Sequence, residues 1–142
     1  MSTAALVLIA VMAGVAVALQ GQAMGGMNRV AGTATTMLVT YGSGGLLSAL
    51  LWTFRRTPGA SMRVPWYGWC AGALGLVIVG GISYAAPRLG LSRTLVITVA
   101  AQLGAALLVE SLGLFGGTPR ALDAAKLAGM LLTIAGVWLV VR

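Results

Sequence analysis

The chain has 142 residues, 59% of them apolar and 8% charged, with nine cations, two acids and no histidine. A soluble domain carries about 25% charge, so a mean hydropathy of +0.99 excludes a water-soluble globular fold and points to one transmembrane domain over residues 1–142. Without histidine, and with Cys70 as the single cysteine, neither an ordinary zinc site nor a Ser-His-Asp or Cys-His nucleophile can be assembled, so no enzyme, no metal and no cofactor are expected.

A bilayer crossing needs about 20 mostly apolar residues. Five stretches qualify, at about 4–27, 34–54, 66–86, 91–114 and 122–141. Asn28-Arg29 and Gly32 separate the first pair; Arg55-Arg56-Thr57-Pro58-Gly59, with Arg63 and Pro65, separates the next. Pro87-Arg88-Leu89-Gly90 forms a tight turn, and Gly116-Gly117-Thr118-Pro119-Arg120 the last loop. The expected fold is therefore all-α, an integral membrane bundle of five transmembrane helices. The first stretch reads as a retained helix rather than a cleaved signal, because it lacks a positive n-region and its apolar run exceeds a usual h-region.

Charge placement carries the topology. With five spans, the N-terminal side holds Arg55, Arg56, Arg63, Arg120 and Lys126, five cations; the other holds Arg29, Arg88, Arg93 and Arg142, four. Cations at span ends account for the basic pI without nucleic acid. Orientation follows the difference between sides, and a difference of one suits a chain that inserts both ways. Two opposed copies of an odd-span chain make an inverted pair of ten helices, the symmetry many transporters obtain from internal repeats. The chain itself shows no convincing repeat, so an antiparallel homodimer is expected.

Small residues recur every four positions: Ala10, Gly14 and Ala18; Thr36, Thr40, Gly44 and Ser48; Gly68 and Gly72; Ala125, Gly129 and Thr133. In lipid such stripes mark helix–helix seams. The glycine pairs Gly25-Gly26 and Gly80-Gly81 are hinge candidates, each glycine weakening a helix by roughly 1 kcal/mol relative to Ala. Trp52, Trp66 and Trp69 gather near one membrane face, Tyr84 and Trp138 near the other, as interfacial belts do. Trp69 lies one turn deeper than Trp66 and is placed to face the interior.

Polar groups within the spans must find partners or line a wet cavity. Gln102 lies mid-span with Thr98 one turn before it, and Gln20 and Gln22 lie in the last third of the first span. Tyr41 and the hydroxyls of the second span read as interhelical glue. Glu110 is the only carboxylate within a span, roughly 28 Å along its helix and so near an interface. It reads either as paired with Arg63 or Arg120 or as a proton-coupling and cation-recognising group. In an antiparallel dimer the partner's Glu110 reaches the depth of Gln20 and Gln22, giving a composite site.

Four patterns in order resemble the YdcZ-like branch of the drug/metabolite transporter superfamily. They are Leu19-Gln20 leading to Asn28-Arg29; Pro65-Trp66-Tyr67-Gly68-Trp69 with Gly72 and Gly75; Pro87-Arg88-Leu89-Gly90; and Gln102 followed by the run from Leu107 through Glu110 to Gly116. The resemblance spans nearly the whole chain, with two departures, Ala101 in place of Gly and Glu110 in place of Asp. It implies a multi-pass protein of the bacterial inner (plasma) membrane that exports a small metabolite or toxic compound. It also implies a cavity lined by the first, third and fourth helices, with Gln20, Trp69, Tyr84 and Gln102 among the lining residues.

The expected function is secondary transport by alternating access in a dual-topology homodimer, with the lipid bilayer and a neutral or singly charged solute as partners. No nucleotide-binding loop is present. A single-orientation subunit of a hetero-oligomer and a non-transporting scaffold or regulator are the alternatives.

Overall fold

The structure, a computed structural model, describes residues 2–55, 65–114, 119, 121 and 123–142, with the side chain of Trp66 outside that set. The chain divides into two compact units, one running to Arg88 and one starting at Leu89. Four helices among the described residues are long and apolar enough to cross a membrane.

The first unit is built from α1 (Thr3–Arg55) and α2 (Trp66–Leu89). At about 1.5 Å per residue, α1 would measure about 80 Å, far beyond a hydrocarbon core of about 30 Å. Gly32 resolves the mismatch. Its φ of 79° and ψ of 169° are non-helical and divide α1 into two arms. This region of backbone space is essentially closed to side-chain-bearing residues. The arms fold back on one another: Gln20 and Gly44, each twelve residues from Gly32, line the same groove, although a straight helix would hold them about 36 Å apart. Across the turn, Asn28 Nδ2 donates to Thr33 Oγ1 at 2.8 Å, and Thr36 Oγ1 donates to the Gly32 carbonyl at 2.9 Å.

Helix α2 packs against both arms. A Cβ on Gly25 would lie 3.6 Å from Ala86 Cβ, and one on Gly80 3.1 Å from Met37 Sδ. Met24, Val79 and Ile82 form the buried cluster, with Met37 against it. The helices run unbroken through Gly25-Gly26 and Gly80-Gly81, so those pairs are not bends. Gly25 and Gly80 serve close helix approach, and the bend falls at Gly32.

In the second unit, α3 (Leu91–Leu112) and α4 (Ala124–Val141) lie antiparallel. One end brings Glu110 to Lys126, the middle brings Gly104 to Met130, and the other end brings Leu95 to Val140. Gly90, with φ 89° and ψ 145°, precedes α3; Thr94 returns both its N–H and its Oγ1 to the Gly90 carbonyl. Gly113, left-handed at φ 61°, closes α3. Asp123 caps α4, its Oδ1 accepting from the Lys126 N–H at 2.9 Å. The observed ends therefore differ from the sequence reading by two or three residues: α2 continues to Leu89, α3 stops at Leu112, and α4 begins at Ala124, where Asp123 sets its first turn.

Burial is inverted relative to a soluble protein. Thr36 and Ser83 are the largest fully buried side chains, while Val30, Phe54, Leu132 and Leu38 stand exposed. Small hydroxyls buried beside the Met24–Val79–Ile82 cluster, with many large apolar groups outside, are the pattern that helix packing in lipid favours.

Candidate functional site

Two polar sites emerge, one in each unit. The first is an open groove of about 390 Å³ between the arms of α1, lined by Gln20, Thr40, Tyr41, Gly44, Gly45 and Ser48, with Val79 of α2 at one side, and most of these residues stand exposed. Its shape follows from local sequence. The i, i+4 spacing of Thr40, Gly44 and Ser48 aligns them on one face of the second arm, and a Cβ on Gly44 or Gly45 would meet nothing within 4 Å. The Tyr41 hydroxyl occupies the space that a Gly75 Cβ would need, so Gly75 is what lets the ring lie across to α2.

Elsewhere in the helices Thr36, Ser43, Thr53, Ser83, Thr94, Thr98, Ser111 and Thr133 donate to a carbonyl three or four residues back. The side chains of Gln20, Thr40, Tyr41 and Ser48 make no hydrogen bond to another described residue. Their donors and acceptors remain available, and none of the lining groups is charged.

The second site lies between α3 and α4. Glu110 Oε2 and Lys126 Nζ stand 3.6 Å apart at the end of a groove of about 410 Å³, lined chiefly by Leu103, Leu107 and Met130. At that distance the pair is electrostatic rather than hydrogen-bonded. The sequence suggested pairing of Glu110 with Arg63 or Arg120; both lie outside the described residues, and the structure supplies Lys126, in the first turn of α4. The Glu110 carbonyl meanwhile accepts the Gly113 N–H at 3.3 Å, so the helix end fixes the backbone beside the charge.

Of the other expected site residues, Gln22 is exposed on the first arm and Gln102 on α3. Trp69 is 73% exposed on the surface of its unit. Tyr84 is half exposed and is covered by its own neighbour: the Arg88 guanidinium lies 3.6 Å from the ring centroid, and its Nη1 donates to the Tyr84 carbonyl at 2.7 Å. Trp138 is held likewise by Arg142 at 4.3 Å. The structure thus brings Gln20 together with Thr40, Tyr41 and Ser48, and Glu110 together with Lys126. The stripe Thr36-Thr40-Gly44-Ser48 had signalled the groove face, although it reads as a seam until the opposite wall is known. Among the described residues no cluster of His, Cys, Asp or Glu could hold a metal.

Comparison with curated proteins gave no match, and neither did comparison with solved structures. A family model described as "Putative inner membrane exporter, YdcZ" matches residues 5–139. That match agrees with four helices able to span a bilayer, with an apolar exterior, and with a family of exporters rather than of enzymes. The chain belongs to the YdcZ family of inner-membrane exporters.

Proposed function

We propose that this protein crosses the inner membrane five times and exports a small solute by alternating access, as an antiparallel homodimer inserted in both orientations. The fold-back of α1 at Gly32 is the observation that carries this reading. It supports reading four long helices as five crossings, and an odd number would make an inverted second copy the natural completion of a transport unit. The near-equal cations on the two sides support insertion both ways. Uncovered small-residue positions support a partner in lipid: a Cβ on Gly14 or Gly72 would meet nothing within 4 Å.

Each unit then offers its own solute contacts, Gln20, Gln22, Trp69 and Tyr84 in the first and Gln102 and Glu110 in the second. Glu110 is the carboxylate available to carry a coupling proton. Its exposed pairing with Lys126 contributes about 0–1 kcal/mol, so a transport cycle can open it at small cost. Loss of transport in the Glu110→Gln variant supports this role, and full activity removes Glu110 from the mechanism.

The deciding experiment is topology. One cysteine is placed between Arg55 and Arg63 in a Cys70→Ser background and labelled from each side of intact cells and inverted vesicles. Comparable labelling from both sides is expected. Labelling from one side alone overturns dual insertion and calls for a second, different five-span chain.

A further inference from the structure

The groove that ends at Glu110 and Lys126 continues past its own walls. Thr133 lines both it and the groove of similar size that Leu95, Val99 and Val140 border toward the other end of the hairpin. On α3 the steps from Leu95 to Val99, Leu103, Leu107 and Glu110 are of three or four residues; on α4 so are those from Lys126 to Gly129, Thr133, Gly136 and Val140. One face of each helix therefore borders a single furrow. Its depth comes from glycine, since a Cβ on Gly129 or Gly136 would meet nothing within 4 Å. The one hydroxyl in the wall is spent, Thr133 Oγ1 donating to the Gly129 carbonyl at 2.8 Å. The furrow is apolar along about 20 Å, more than the half-thickness of about 15 Å that one lipid chain covers.

Its two ends differ in charge. With 22 residues, α3 is about 33 Å long, close to the thickness of the hydrocarbon core, which sets both ends of the hairpin at headgroup level. Glu110 and Lys126 place both signs at one end, 3.6 Å apart and so without a hydrogen bond to each other. Asp123, beside them, is turned to the Lys126 N–H. The other end holds Arg93 and Arg142 and, among the described residues, no acid; there Arg142 rests on Trp138. An inverted second copy laid in the furrow would set the Glu110–Lys126 pair against Leu95, Val96 and Val140, where neither charge finds a partner. A headgroup carrying an ammonium and a phosphate matches both signs. Its ammonium can donate to the Glu110 carboxylate and its phosphate can accept from Lys126 Nζ, each as a charge-assisted hydrogen bond. A trimethylated ammonium has no N–H to donate, and a purely anionic headgroup meets the carboxylate with a like charge.

We propose that the α3–α4 furrow binds a phospholipid of the phosphatidylethanolamine class, with one acyl chain along the furrow and the zwitterionic headgroup on Glu110 and Lys126. The site belongs to the second unit alone. It rests on the chain's place in a membrane and stands independently of the transport cycle and of the homodimer.

The test uses the full chain in phosphatidylcholine liposomes, with Leu103→Cys in a Cys70→Ser background carrying a bimane label. Equal small fractions of phosphatidylethanolamine, phosphatidylcholine or phosphatidylglycerol, each with a nitroxide on the acyl chain, are added in turn as quencher. The ethanolamine lipid is expected to occupy the furrow about fivefold more readily than the other two, the gain of about one charge contact at a membrane surface. The same label introduced by Leu131→Cys, two residues from Thr133 and so on the opposite side of α4, should show no preference. Glu110→Gln leaves Lys126 alone and should turn the preference to phosphatidylglycerol. Exchange of the pair, Glu110→Lys with Lys126→Glu, should keep it for the ethanolamine lipid. Equal quenching by all three headgroups, or a preference unmoved by Glu110→Gln, overturns the assignment. Quenching at position 131 with none at position 103 shows the furrow covered by protein, a second copy included, and overturns it as well.

Discussion

The turns at Gly32 and Gly90 are built from one backbone instruction and finished in two ways. Both glycines have positive φ with extended ψ. In both, the threonine four residues on is buried and returns its hydroxyl to the glycine carbonyl at 2.9 Å. The helix that follows is thereby started by its own fourth residue rather than by a conventional side-chain cap. The finishing differs upstream. Before Gly32 a neutral amide, Asn28, reaches over the turn to Thr33; before Gly90 a cation, Arg88, folds back onto Tyr84. A break and restart of the helix can thus be encoded by glycine and threonine alone, leaving the preceding side chains to set its polarity.

The largest effects should come from the glycines themselves. Gly32→Ala and Gly90→Ala each introduce a Cβ that meets no neighbour within 4 Å, so both pay backbone strain of about 1–3 kcal/mol. Similar losses of thermal stability for the pair would establish the shared instruction. Only Gly32→Ala should also reduce bismaleimide cross-linking between cysteines at positions 20 and 44; an equal reduction by Gly90→Ala would break the comparison.

Next comes Gly75→Ala, which displaces the Tyr41 ring at a cost of about 1–3 kcal/mol. Gly80→Ala should cost less, because the atom it meets is the flexible Met37 thioether. Unfolding midpoints in detergent with the order reversed would show that Tyr41 moves freely.

Thr36→Val and Thr94→Val remove one hydroxyl bond each and should lose about 0.5–1.5 kcal/mol. A double-mutant cycle between Asn28 and Thr33 should give a coupling of similar size, and a vanishing coupling would mean the amide does not close the turn. The smallest effect is Arg88→Gln, which forfeits an exposed cation–π contact of about 0.5–1 kcal/mol. Tyr84 fluorescence at unchanged quenching would argue that the guanidinium does not rest on the ring.

Helix spans and their interruptions were legible in sequence because lipid imposes so simple a rule on composition. The run from Ala4 to Met27, the Pro87–Gly90 punctuation and the break near Gly32 could all be read from residue types. What composition hid is that Asn28, Arg29, Val30 and Ala31 stay helical, leaving Gly32 as the one non-helical residue of that turn. Pairings were harder. Glu110 meets Lys126 through the antiparallel stagger of α3 and α4, a quantity that neither helix encodes alone. The stripe of Thr36, Thr40, Gly44 and Ser48 declares a face but not its opposite wall, so packing at Thr36 and open space at Gly44 look identical in sequence. Tyr41 was read as interhelical glue, and the approach of Gly75 shows which helix its ring meets.

A reversal made by one residue leaves no slack in the count. Gln20 faces Gly44 because twelve positions separate each from Gly32, and one residue advances a helix by about 100°. Inserting a single alanine between Gly32 and Thr40 would swing Thr40, Gly44 and Ser48 to another side of the arm while scarcely altering composition or hydropathy. Homologous exporters that share this hairpin should therefore keep the number of residues between its arms more strictly than the identity of the side chains that face lipid.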